Sequence, residues 1–395
     1  MPPRGLLIAA VLTLPGCEAA TEARAQAPDK PSIAAPSSLT AEYQAKLATY
    51  TQAHQKFDEE AAAYWGAVAQ KRRLRNAKRR EHKEIVLDDY VLTQPPVYVG
   101  PPPPLPPPRV GQDGAETATP PRKYIPVVAD FLKSAQEHFG FAPQRPRSEA
   151  EFKRAYAKLA LDVGLTKEQI VRIYVFETGG NGTYDAQAGL EYSPRGRAIS
   201  PALGYNQLLN TNSVELLAER GDAFVAALKA RTAALDGDAK QALQRKVDVL
   251  RQMIKFCRSV PDDWNAHDAL ANTAAGLGVH AMLLDTDVGP LLQVQKLLDS
   301  VTFARRSGHE TPMSAAELQM MNLTGDGNGL DIVMMPAAMR ERVPTANFFL
   351  QAGYERNPVA IRNNVVAKLM AATDATMDRG MNLPGARELA AAATR

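Results

Sequence analysis

From Tyr124 onward apolar residues recur every three to four positions, the period of amphipathic helices, and almost nowhere every second position. "IPVVADFLKSAQEHFG" predicts a helix with Pro126 in its first turn and Gly140 at its stop. "SEAEFKRAYAKLALDVG" predicts a second, closed by Gly164. "LTKEQIVRIYVFETGG" predicts a third, opened by Thr166 with Gln169 three residues on, a capping-box spacing. Further helices are expected over 213–219, 222–233, 238–257, 266–284, 289–304, 314–322 and 357–375. Strand patterns are confined to the stretch between Thr183 and Ser200, and no internal repeat is present.

The first third reads differently. "MPPRGLLIAAVLTLPGCEAA" has the layout of a secretory signal peptide, with an apolar run from Gly5 to Leu14 too short to span a bilayer. Within it "LPGC" resembles a bacterial lipobox that would lipidate Cys17, and "ARA" at 23–25 is a rival cleavage site. The expected order is a signal peptide over 1–17, a disordered tether over 18–37, a basic helical segment over 38–86, a Pro-rich linker over 87–122 and one folded domain over 123–395. Tyr43, Leu47, Tyr50, Phe57, Tyr64 and Trp65 punctuate a nearly Gly- and Pro-free run, read as one long helix or a helical hairpin. "DDYVLTQPPVYVGPPPPLPPPRVGQDG" is read as an extended polyproline spacer.

A formal charge of +3 is too small to argue for a nucleic-acid partner. Its distribution says more: residues 71–83 carry eight Lys or Arg against one Glu. They read either as a solvated helix face or as an adhesive for an anionic envelope polymer or membrane surface. Only Cys17 and Cys257 occur, so no disulfide framework is implied, and Cys257 lies in an apolar helical pattern as a core residue. No Gly-x-Ser-x-Gly elbow, phosphate loop or His-Glu-x-x-His is present, so a metal or other cofactor is not expected. "TGDGNGLD" places Asp326, Asn328 and Asp331 near one another but lacks the full calcium-loop spacing, and is read as a capped tight turn.

Glu177 is the candidate for chemistry. Ile170, Ile173, Tyr174 and Glu177 fall at i, i+3, i+4 and i+7, so the carboxyl continues an apolar, core-facing stripe. Burial there favours the protonated form that a general acid needs near neutral pH. The alternative is a helix-end carboxylate held by a neighbouring Arg or backbone amide.

Glu177-Thr178-Gly179, followed by Ser200, Ala202, Gly204, Tyr205, Asn206, Gln207 and Leu208, resembles the lytic transglycosylase and goose-type lysozyme group over residues 160–220. The resemblance implies a mainly α, lysozyme-like fold with a small β or loop element after the catalytic helix. It implies peptidoglycan as substrate, Glu177 as the single catalytic acid, and Ser200 with the Gly204–Gln207 turn lining the sugar cleft. Such enzymes protonate the oxygen between N-acetylmuramic acid and N-acetylglucosamine, and the same residue then helps the muramic 6-hydroxyl close an anhydro ring. Tyr205 and Asn206 depart from the apolar pair usual there. The family's later Ala-Tyr-Asn-Ala-Gly segment, whose Tyr supports the acid, has only Asn347 and Tyr354 as candidates. A hydrolysing muramidase would need a second carboxylate, for which Asp185 and Glu191 are candidates, with Tyr184 and Tyr192 as sugar-stacking residues. The expectation is an exported, periplasmic, envelope-attached enzyme; the rival is a non-catalytic envelope-binding scaffold protein.

Overall fold

The computed structural model describes residues 38–105, 124–180 and 200–394. In chain order the helices are α1 Ser38–Arg80, α2 Val128–Phe139, α3 Glu149–Asp162, α4 Lys167–Thr178, α5 Asn210–Ala233, α6 Gly237–Cys257, α7 Trp264–Ala271, α8 Ala274–His280, α9 Gly289–Arg306, α10 Ala315–Thr324, α11 Asp326–Met334, α12 Ala337–Arg340, α13 Gln351–Glu355, α14 Pro358–Arg362, α15 Val366–Gly380 and α16 Pro384–Ala392. The chain is mainly helical, and among the described residues β pairing is limited to one antiparallel bridge, Leu203 to Leu208. The proposed signal peptide with Cys17, the tether and the strand patterns of 183–199 lie outside the described residues.

The described chain forms two units: Tyr124–Glu341 with Val365–Arg395, and the N-terminal region with Arg342–Asn364. The single domain expected over 123–395 is thus interrupted. Asn347 shows why. Its side-chain amide accepts from the Val91 N–H at 2.9 Å and donates to the Val91 carbonyl at 2.8 Å, so it replaces a strand partner for an isolated backbone segment.

In this N-terminal unit α1 is one unbroken helix, not a hairpin. The Pro-rich segment as far as Leu105 is no free spacer, because it runs back along the helix; residues 106–122 of the expected linker lie outside the described residues. Tyr90 packs under Arg75, the Tyr64 hydroxyl donates to the Thr93 carbonyl, and Tyr98 nests among Tyr50, His54 and Phe57. Pro101–Leu105 then line a groove with Glu42, Tyr43, Lys46 and Thr49. The lengths agree: fifteen polyproline steps from residue 90 to 105 span ~47 Å, and the helix from 75 back to 46 rises ~44 Å. The receiving face is a heptad seam, Tyr43, Tyr50, Phe57 and Tyr64 alternating with Leu47, His54, Ala61, Val68 and Arg75.

The basic run is largely turned inward. Arg75 is fully buried and donates to the carbonyls of Asp89 (3.0 Å) and Asn347 (3.1 Å), with its guanidinium 4.5 Å from the Tyr90 ring. Arg72 donates to the Phe349 carbonyl, Lys71 to that of Asp88, and Lys78 pairs with Asp89. Arg73 and Arg80 stay exposed. Arg75→Ala is expected to destabilise this unit by about 2–3 kcal/mol, since a buried and a part-buried carbonyl lose a charged donor and the Tyr90 ring loses its cation. Hydrogen exchange checks it: amides of 342–364 should exchange faster in the variant, while those of α4 should not change.

The other unit has two hydrophobic cores. One gathers α2, α5, α6 and α8; the other surrounds α4 with α3, α9, α10, α15 and α16. Asp285 anchors the first core's edge: it is fully buried, pairs with Lys246 of α6 at 2.9 Å, and accepts from the backbone N–H groups of Gln144, Asp287 and Val288. Helices 213–219 and 222–233 are fused as α5. Gly221 does not break it but lets α6 approach, since a Cβ there would lie 2.4 Å from Ile254 Cγ1. The run 266–284 is instead broken at Asn272, where the Thr273 side chain caps α8. The run 357–375 divides at the unit boundary into α14 and α15. Asp326–Met334 is helix α11 rather than a turn, with Asp326 accepting from the Ser300 hydroxyl at 2.6 Å. Burial raises the Cys257 thiol to about 12, as expected of a core cysteine.

Candidate active site

The central helix α4 is buried on nearly every side, from Gln169 through Thr178 with only Arg172 reaching outward. Its start is the capping box read from sequence: Gln169 N–H donates to Thr166 Oγ1, and Thr166 N–H to Gln169 Oε1. Its end is the left-handed Gly179, whose N–H closes on the Val175 carbonyl. Glu177 therefore emerges from the C-terminal turn of a rigid, solvent-shielded rod.

Glu177 is 6 % exposed. Its Oε1 accepts two hydrogen bonds, from Gln319 Nε2 at 2.6 Å and Asn322 Nδ2 at 2.8 Å. Oε2 has no partner among the described residues, and no cation pairs with the carboxyl there. Burial pushes its pKa up to about 7, and the two amide donors only partly oppose this. The Arg or backbone-amide partner of the structural alternative is absent among the described residues. Asp285, a buried acid with a lysine partner, illustrates what a structural carboxylate looks like in this same unit.

Both amides come from α10, which packs against α4. They were missed in the sequence, although a signal existed: Gln319 and Asn322 stand i, i+3 on one side of the otherwise apolar "LQMMNL". They supply the support for the acid that was sought at Asn347 and Tyr354. Those two residues belong to the other unit, where Tyr354 is buried against Trp65 of α1 and Phe349.

The 200–208 segment is brought to the acid, but not as a row of sugar contacts. Asn322 Nδ2 also reaches the Asn206 carbonyl at 3.4 Å, so one amide touches both parts of the sequence motif. Leu203 and Leu208 close a tight turn over Gly204–Gln207 through two backbone hydrogen bonds. Gly204, at φ 85°, has no room for a Cβ, which would sit 2.6 Å from the Gln293 amide. That amide accepts the Tyr205 N–H at 2.5 Å.

Tyr205 and Asn206 correct the expectation that they line a sugar cleft. Tyr205 is fully buried, edge-on to Phe152, Tyr156 and Tyr174, with its hydroxyl on Glu149. Asn206 accepts from the Tyr156 hydroxyl and donates to the Gln293 carbonyl. The polar pair that departs from the apolar family pattern is thus satisfied inside the core. Ser200 is buried too and accepts the Ala202 N–H in a local turn. Gln207 is partly exposed and donates to the Gly204 carbonyl. Tyr184, Asp185, Glu191 and Tyr192 lie outside the described residues.

A second anchor holds this turn. His280 donates from Nε2 to the Pro201 carbonyl at 2.9 Å and accepts at Nδ1 from the Ser213 hydroxyl at 2.8 Å, while burial lowers its pKa to about 4. The neutral ring is a fastening, and full burial of both side chains gives the Ser-His pair no substrate to attack.

The chain matches no protein-family model, no curated protein and no solved structure.

Proposed function

We propose that this protein is an exported, lysozyme-like lytic transglycosylase that cleaves peptidoglycan, with Glu177 as its single acid and base. The observation that carries the reading is Glu177 itself: a buried carboxyl at the end of a central helix, held at one oxygen by neutral amides, without a partner at the other among the described residues, and titrating at about 7. Such a group holds a proton near neutral pH and accepts it back with similar ease, the balance a residue needs to serve as acid and then base. In the first role Oε2–H protonates the bridging glycosidic oxygen. In the second, the carboxylate takes the proton of the muramic 6-hydroxyl as that oxygen closes on the anomeric carbon. Adhesion to the envelope falls to the exposed Arg73 and Arg80, since most of the other basic side chains of 71–83 are engaged internally.

Digestion of purified peptidoglycan by the full chain, wild type beside Glu177→Gln, tests this. The wild type should release muropeptides lighter than hydrolytic products by one water, about 18 Da. Glu177→Gln should lower the rate by about 10²–10⁴. Hydrated products would assign a muramidase and send the search to Asp185 and Glu191. Binding of glycan without cleavage would assign the scaffold role.

A further inference from the structure

The two hydrogen bonds at Glu177 are unevenly shared, and the imbalance has chemical content. A protonated carboxyl has one carbonyl oxygen, a good acceptor, and one hydroxyl oxygen, which must donate. Two N–H groups already point at Oε1, so a hydrogen there would confront two donors. We propose that Gln319 and Asn322 are positioning residues that keep Oε1 the carbonyl and thereby place the acid's proton on Oε2. This rests on the reading of Glu177 as the acid and adds to it which oxygen delivers the proton.

Three further observations support it. Asn322 is aimed by a second bond to the Asn206 carbonyl, so its donor direction is tied to the 203–208 turn. Gln319 is fully buried, and its own Oε1 has no partner among the described residues. An unpaired buried amide oxygen costs about 1–3 kcal/mol, which a Met or Leu in this apolar helix would avoid. No charge competes for control of the proton among the described residues. On the surrounding helices Arg172 pairs with Glu168, Asp374 and Asp378, Lys153 with Glu388, and Lys296 with Asp326. The remaining charged residues there, among them Lys167, Asp299, Asp331, Lys368, Arg379 and Arg387, add nothing to the causes that shift Glu177.

Infrared difference spectra of the full chain between pH 9 and pH 5, with the Glu177→Gln spectrum subtracted, isolate the carboxyl C=O stretch of Glu177 without any substrate. The proposal expects a low-frequency band, the mark of a carbonyl accepting two hydrogen bonds. Gln319→Met and Asn322→Leu should each move that band upward in frequency and raise the midpoint of its titration by about one to two pH units. A wild-type band at the frequency of a free carbonyl would place the proton on Oε1 and overturn the proposal, even if both variants failed to fold. Unmoved bands in folded variants would overturn it equally. Since the readout is the carboxyl itself, absence of glycan cleavage would count against the proposed function alone.

Discussion

Glu177→Gln is expected to make the folded protein more stable at pH 8 and to leave it almost unchanged at pH 4. The folded-state pKa lies at about 7 against an ordinary 4.5, chiefly because burial penalises the charge. Between those values the native state binds more protons than the unfolded chain, so stability falls as pH rises. The window is about 2.5 pH units wide, and above it the wild type carries a penalty of about 3 kcal/mol that a neutral Gln escapes. His280 works in the opposite sense. With its pKa at about 4 instead of 6.5, the native state binds fewer protons between them, and stability falls as pH falls. Across roughly pH 4.5–6.5 the two slopes cancel in the wild type. Removing Glu177 should expose the histidine slope. Denaturant titrations of both proteins from pH 4 to 8 check this; a difference between them that does not grow with pH would mean Glu177 ionises in the folded state like a surface acid.

The second large effect is at Asp285. Asp285→Ala removes the partner of a buried lysine and, at once, the acceptor for three backbone N–H groups from the Gln144 loop and the approach to α9. Lys246 keeps Asp287, which softens but does not cancel the loss. Breaking a buried pair from one side costs about 3–5 kcal/mol. The denaturation midpoint should drop accordingly, and Lys246→Met in the Asp285→Ala background should recover part of it. No recovery would show that the backbone donors carry the whole loss.

What could be read from the chain was local. The start and stop of α4 depend on Thr166, Gln169 and Gly179, all within a few residues of the turns they cap, and the stripe that buries Glu177 has helical period. The partners of that carboxyl are another matter: Gln319 and Asn322 lie 142 and 145 residues downstream, and only folding brings α10 beside α4. Tyr205 and Asn206 misled because the resemblance places the 204–207 turn along a sugar cleft, whereas this turn faces Gln293 and Tyr156. The run 71–83 misled for a related reason. Lys and Arg are usually solvated, and what turned Arg72 and Arg75 inward was the carbonyls of Phe349 and Asn347, 277 and 272 residues away, together with the nearby Asp89 carbonyl. Aromatic residues at sevenfold spacing in α1 are visible in the sequence, but reading the run as one long helix or a hairpin, and the prolines as a separate spacer, leaves their pairing out.

That pairing of a helix with a polyproline limb constrains how the N-terminal unit can evolve. One heptad of helix rises ~10.5 Å and one three-residue polyproline turn ~9.3 Å, so the two limbs keep step only in matched quanta. A single inserted residue in α1 would rotate every aromatic beyond it off the seam by about 100°, and one in the proline limb would turn Tyr98 away from its cage by about 120°. Tolerated length changes should therefore come as seven residues on the outward limb together with three on the return, a ratchet that lets the rod lengthen or shorten while its cross-section is copied unchanged.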